Sequence, residues 1–210
     1  MDKLHINLQS GQRCFFTSDP HYGHDNVIKF CKRPFPDSKR MNAALIELWN
    51  SVVTDNDVVF ILGDFCWFTD RHAVKKIGKQ LHGKDIYIIP GNHDERKGFE
   101  LLLKDYPNWH LLGDVVTCWV SGPELPRNQI EVCLCHYPLM TWAHRNHGAI
   151  QLFGHIHSFA DSTGYDAHLP LWAYQYDVGV DNNKYRPIEF TEILKKINWR
   201  HEDPMQPRKF

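Results

Sequence analysis

Short apolar runs that end abruptly in polar, glycine-bearing segments recur along the chain. The sharpest case is Ile86, Tyr87, Ile88 and Ile89, a β-branched and aromatic run that predicts a strand buried on both faces. Pro90 and Gly91 stop it at once. Residues 14–17, 58–62, 130–135 and 149–153 repeat the pattern, and longer stretches at 111–120 and 172–180 also favour strand. Residues 1–11 are mostly polar and offer no such run. Between the strands, Met41, Leu45, Leu48 and Val52 recur at helical spacing behind two capping residues, Asp37 and Ser38. Ala73, Val74, Ile77 and Leu81 predict a second helix, capped by Thr69 or Asp70. Residues 99–103 and 191–197 predict shorter ones, and 26–36 reads as a loop or short helix. Strands alternating with helices indicate an α/β fold. With no repeat or linker to divide it, the chain is expected to form a single domain over 1–210.

Composition narrows the function classes. The formal net charge is −1, which argues against bulk nucleic-acid binding, though not against a local pocket for a nucleotide. The six cysteines include no C-x-x-C pair. Cys133 and Cys135 share one face of a predicted strand and read as buried free thiols. No stretch is long enough to span a bilayer, and the first residues lack a basic flank leading into an apolar run. A cytoplasmic protein with no membrane partner is the expectation.

The 14 histidines are unevenly placed. Five strand endings carry polar cargo of one kind: Asp19 with His21, Asp64, Asn92 with His93 and Asp94, His136, and His155 with His157. Ligands at the carboxyl ends of strands are where open α/β sheets bind them. The seven residues Asp19, His21, Asp64, Asn92, His136, His155 and His157 suit a pair of divalent metals converging on one sheet edge. Mixed imidazole and carboxylate donors favour manganese, iron, zinc or nickel over calcium or magnesium. Manganese is the first expectation.

These blocks, Asp19-x-His21, Gly63-Asp64, Gly91-Asn92-His93-Asp94, His136 and Gly154-His155-x-His157, resemble the calcineurin-like metallophosphoesterases. The surroundings of His21, Gly23, His24, Asn26, Arg33 and Pro34 look like a compact bacterial and phage branch of that superfamily. Pro20 departs from the commoner small or apolar residue between the first two ligands without removing either. The resemblance implies a sandwich of two packed mixed β-sheets flanked by helices. It implies one metal on Asp19, His21, Asp64 and His157 and another on Asp64, Asn92, His136 and His155, bridged by Asp64. A metal-bridging hydroxide would then attack phosphorus. His93 would stand at the leaving group with Asp94 orienting its ring, and His24 would touch substrate or support the ligands.

The function so implied is hydrolysis of small phosphodiesters, nucleotide-derived ones among them. A phosphomonoesterase or nucleotide pyrophosphatase is the alternative. A non-catalytic scaffold and a nuclease within a larger complex rank lower, because the ligand set is complete and composition offers no positive surface. For a diester, Trp142 and Arg145 on one side and Phe65 and Trp67 on the other are the expected substituent contacts. Arg33 and Arg145 would supply the extra positive charge a monoester dianion asks for.

Overall fold

Every residue of the strand Val58–Ile61 is buried, which a strand achieves only when both faces of its sheet are covered. The computed structural model describes residues 2–67, 71–158, 171–199 and 202–206. Phe68 and the expected caps Thr69 and Asp70 lie outside them. In chain order the strands are β1 (Asp2–Asn7), β2 (Cys14–Thr17), β3 (Val58–Ile61), β4 (Asp85–Ile88), β5 (Trp109–Leu111), β6 (Val115–Ser121), β7 (Ile130–Cys135), β8 (Ile150–Phe153), β9 (Gln175–Asp177) and β10 (Ile188–Glu189). The helices are α1 (Asp25–Phe30), α2 (Ser38–Asn50), α3 (Arg71–Gly78), α4 (Glu100–Asp105) and α5 (Phe190–Lys196).

These strands form two five-stranded mixed sheets, ordered β10-β2-β3-β4-β5 and β1-β6-β7-β8-β9. In the first, β2 to β5 run parallel and β10 antiparallel; in the second, only β6 and β7 pair antiparallel. Period-two alternation assigns the faces. Phe16, Phe60, Leu62 and Ile89 join Val116, Val132, Leu134 and Leu152 in a core that takes in both sheets. Their neighbours Phe15, Val59, Ile61 and Ile88 pack instead against Met41, Leu45 and Trp49 of α2, Val74 and Ile77 of α3 and Leu102 of α4. Asp37 caps α2 by accepting the N–H of Arg40 at 2.8 Å.

The sheets meet at their carboxyl edges. The N–H of Val180, past the end of β9, donates to the carbonyl of Ser18, past the end of β2, at 3.0 Å. This seam matters for function, because polar cargo leaving either sheet arrives at the same place.

Three elements differ from the sequence reading. The polar segment 1–11 contains β1, where Leu4 and Ile6 alternate with outward polar residues as befits an edge strand. The stretch 111–120 is two strands in different sheets, since Gly113 and Asp114 break it between β5 and β6. Only Gln175–Asp177 of residues 172–180 is strand. All six cysteines are free, and Cys133 and Cys135 are buried. Among the described residues no helix is long and apolar enough to cross a membrane.

Candidate metal centre

Parallel pairing of β2 and β3 continues past their ends, so the two following loops run side by side. The N–H of Asp19 donates to the carbonyl of Gly63, and that of His21 to the carbonyl of Asp64, each at 3.0 Å. Asp19, His21, Asp64, His155 and His157 all have φ between 47° and 71°, the left-handed region that costs a non-glycine residue about 1–3 kcal/mol when held there. So dense a group of strained residues in one place is the mark of a functional site. The glycines of the blocks leave room for close approach. A Cβ on Gly91 would meet the Asp64 amide nitrogen at 2.5 Å and clash with its carboxylate. One on Gly154 would clash with the Asp19 carboxylate and the Ser18 hydroxyl.

The loops gather two ligand clusters: Asp19, His21 and His157, and Asp64, His136 and His155. Asp64 stands between them, its Oδ2 lying 3.4 Å from His21 Nε2 and 3.6 Å from His136 Nε2. His21 Nε2 lies 3.9 Å, and His157 Nε2 3.8 Å, from Asp19 Oδ1. Asn92 joins the second cluster through its Oδ1, 3.0 Å from His136 Nε2.

The donor set fits cations. Asp19 Oδ1 and both ring nitrogens of His21 are buried without a hydrogen-bond partner, a costly condition that coordination would relieve. His136 Nδ1 faces the Leu62 carbonyl at 2.7 Å, so Nδ1 carries the proton. In the neutral ring, Nε2 is then a lone pair turned towards the oxygens of Asn92 and Asp64. Acceptors facing acceptors are what a cation resolves. Burial and the charge of Asp19 push the Asp64 carboxyl up from its usual range. Burial, and then the neighbouring cationic groups, push His21 down. The Asp64 shift describes carboxylates short of a countercharge, and the His21 shift keeps its ring neutral and able to ligate.

Behind the ligands lies a support that the sequence reading missed. His157 Nδ1–H donates to Asp181 Oδ2 at 2.7 Å, which aims Nε2 at Asp19. Asp181 is held in turn by both arms of the Arg33 guanidinium, at 2.8 and 2.7 Å. Arg33 also donates to the carbonyls of Asp19 and Pro20. Burial alone would lower the His157 pKa, but hydrogen bonds to Asp181 and Cys31 overcome it and push it up to about 11. Asp181 follows the apolar run Val178-Gly179-Val180, the same pattern as the other blocks, and that signal was there to be read. Partners that orient a ligating histidine are worth about 10–100-fold in metal affinity. Asp181→Asn is therefore expected to weaken one of two manganese equivalents by about that factor in titrations of metal-free protein. Two unchanged affinities would contradict this role.

Several expected contacts need correction. Arg33 is buried, with its donors spent on Asp181 and backbone carbonyls, so it offers no charge to a substrate. The Asp94 carboxylate accepts the N–H groups of Gly91 and Phe65 and ties the two loops together. It makes no hydrogen bond to the His93 ring, and burial pushes it up to about 6. Trp142 is buried and donates its indole N–H to Ala149 at 2.9 Å, and Phe65 is wholly buried, so neither can stack on a substrate. Arg145 sets its guanidinium carbon over the Trp172 ring at 3.9 Å. Trp67 is exposed. Its indole stacks on His24, with centroids 3.9 Å apart, and lies 4.9 Å from the exposed His93. On the other flank, exposed Tyr137 sets its ring against His155 at 4.7 Å and His136 at 4.9 Å.

Comparison with known proteins agrees with this geometry. The calcineurin-like phosphoesterase family profile matches residues 13–159. An uncharacterized protein of Methanocaldococcus jannaschii is 38% identical over 86 residues, 41% of this chain. That match spans about half of the archaeal relative, 49%. The gene 66 protein of Mycobacterium phage D29 is 31% identical across 69% of this chain and 78% of its own length. A protein of unknown function from Aquifex aeolicus shares the fold with a TM-score of 0.61 and 23% identity, over 88% of this chain and 98% of that one.

Proposed function

Because the chain belongs to the calcineurin-like phosphoesterase family, we propose that its two metal-ligating clusters hydrolyse small phosphodiesters. Asp19, His21, Asp64 and His157 would hold one cation and Asp64, Asn92, His136 and His155 the other, a mixed imidazole and carboxylate set that suits manganese, iron, zinc or nickel, of which we take manganese first. When bound, the two cations supply Lewis-acid charge neutralisation and a water of lowered pKa.

The remaining work falls to the chain itself. The His93 ring lies 5.5 Å from His21 and outside both clusters, free to hand a proton to the departing oxygen. Its backbone N–H holds Asp64 Oδ1 at 2.9 Å and so fixes the carboxylate that stands between the two clusters. His24 packs between His21 and Trp67, where it supports the ligands and backs the substrate wall.

The observation that carries the diester reading is the pair of exposed rings, Trp67 beside His24 and His93 next to the His21 cluster and Tyr137 beside His136 and His155 of the other. Each can border one substituent on phosphorus. A monoester dianion would ask for further cations, and Arg33 is already spent. Manganese-loaded protein is expected to give a higher kcat/KM on bis(p-nitrophenyl) phosphate than on p-nitrophenyl phosphate at matched pH. A tenfold preference for the monoester, about 1.4 kcal/mol, would reverse the assignment.

A further inference from the structure

Among the described residues few large apolar side chains are exposed, and Trp67, 47% exposed, is one of them. Its place is fixed. The Trp67 N–H donates to the Tyr22 carbonyl at 2.9 Å, and the adjacent Cys66 bridges Tyr22. The loop carrying the first ligands thus holds the loop carrying Trp67. One face of the indole lies against the His24 imidazole with only 9° between the planes. His24 is more than nine-tenths buried, and its Nδ1 has no partner. The pair is a two-ring wall beside His93 and His21. One part of the indole packs on His24, while the rest is left to solvent beside the metal-ligand clusters. Its value lies in what lands on it.

Resting on the phosphoesterase reading above, we propose that Trp67, backed by His24, is a stacking shelf for a flat aromatic ring carried by the phosphoester, the class to which nucleobases belong. A planar ring joined to phosphate by a short sugar can reach from the clusters to a wall adjoining His93 and His21. Base-on-aromatic stacking tolerates any base, because every base has a π-face. The shelf therefore selects for the presence of a base and not for its identity. Tyr137, set edge-on to His136 and His155, offers no backed face of this kind.

The test compares two probes that differ only by the base, adenosine 5′-monophosphate and ribose 5-phosphate, titrated calorimetrically into the manganese-loaded full chain. The nucleotide should bind on the order of tenfold tighter. Trp67→Ala should bring the ratio of the two affinities close to one, and Trp67→Phe should restore most of it. Thermal melting of each variant checks that the fold is intact. A wild-type ratio of one, or a ratio that Trp67→Ala leaves unchanged, overturns the shelf. The catalytic reading is scored separately, on hydrolysis of the nitrophenyl esters. If no ester is cleaved while the ratio still depends on Trp67, the shelf stands and the phosphoesterase reading falls. If esters are cleaved and the ratio ignores Trp67, the shelf falls alone.

Discussion

Asp64→Asn is expected to abolish turnover, by about 10³-fold or more, in a protein that still folds. The magnitude follows from the several kcal/mol of transition-state charge stabilisation that a metal centre provides, at about 1.36 kcal/mol per factor of ten. Asp64 Oδ2 is within 3.6 Å of nitrogens from both clusters, so its charge is shared by both. Two neighbouring cations bound there would repel one another. A neutral amide cannot offset that repulsion. The shape is kept, because asparagine can still accept the His93 N–H through its side-chain oxygen. Metal analysis after reloading should fall from two equivalents to one or fewer, in step with the rate. Cys133→Ala or Cys135→Ala supplies the contrast. Both thiols are buried, and Cys133 is pushed up to about 12 by that burial, so each acts as a small apolar group. Their loss should lower stability modestly and leave the rate near wild type. An Asp64→Asn variant that turns over at the wild-type rate would refute the bridge.

His93→Ala should behave differently, keeping both metals and losing about 10²–10⁴-fold in kcat, the usual worth of a general acid. The substitution is clean because the contact to Asp64 uses the His93 backbone N–H, which alanine retains. What is lost is the ring alone, exposed at the mouth between His21 and Trp67. Proton donation matters most when the departing oxygen is basic. The loss should therefore be steep on alkyl esters and shallow on nitrophenyl esters. An equal loss on both would assign the ring to stabilising the phosphoryl oxygens instead. Asp94 enters this argument only at a distance. Its carboxylate braces the backbone of Gly91 and Phe65, so Asp94→Asn should act through loop position.

The ligand blocks were legible in the sequence because their pattern is local. An apolar run that stops at a glycine and then delivers Asp, Asn or His states strand, turn and cargo within a few residues, as at Ile89-Pro90-Gly91-Asn92 and Phe153-Gly154-His155. Strand β3 and helix α2 were legible for the same reason, since a period of two or of 3.6 is a short-range signal. Strand β1 was not, because an edge strand is polar on one side and its partner β6 lies more than a hundred residues away. Nor was the division at Gly113, which sends β5 and β6 to different sheets. Sequence alone could not tell which aromatic residues face the substrate. Phe65 and Trp67 are two residues apart, yet one is wholly buried and the other half exposed. Trp142 carries the residue type expected of a stacking partner, but its indole N–H is spent on Ala149. The support behind the centre was the most hidden part. Arg33 and Asp181 are separated by 148 residues and meet only because the carboxyl ends of β2 and β9 come together. Chemistry written into single turns can be read from the chain, whereas burial and pairing between distant turns are set by how the two sheets pack.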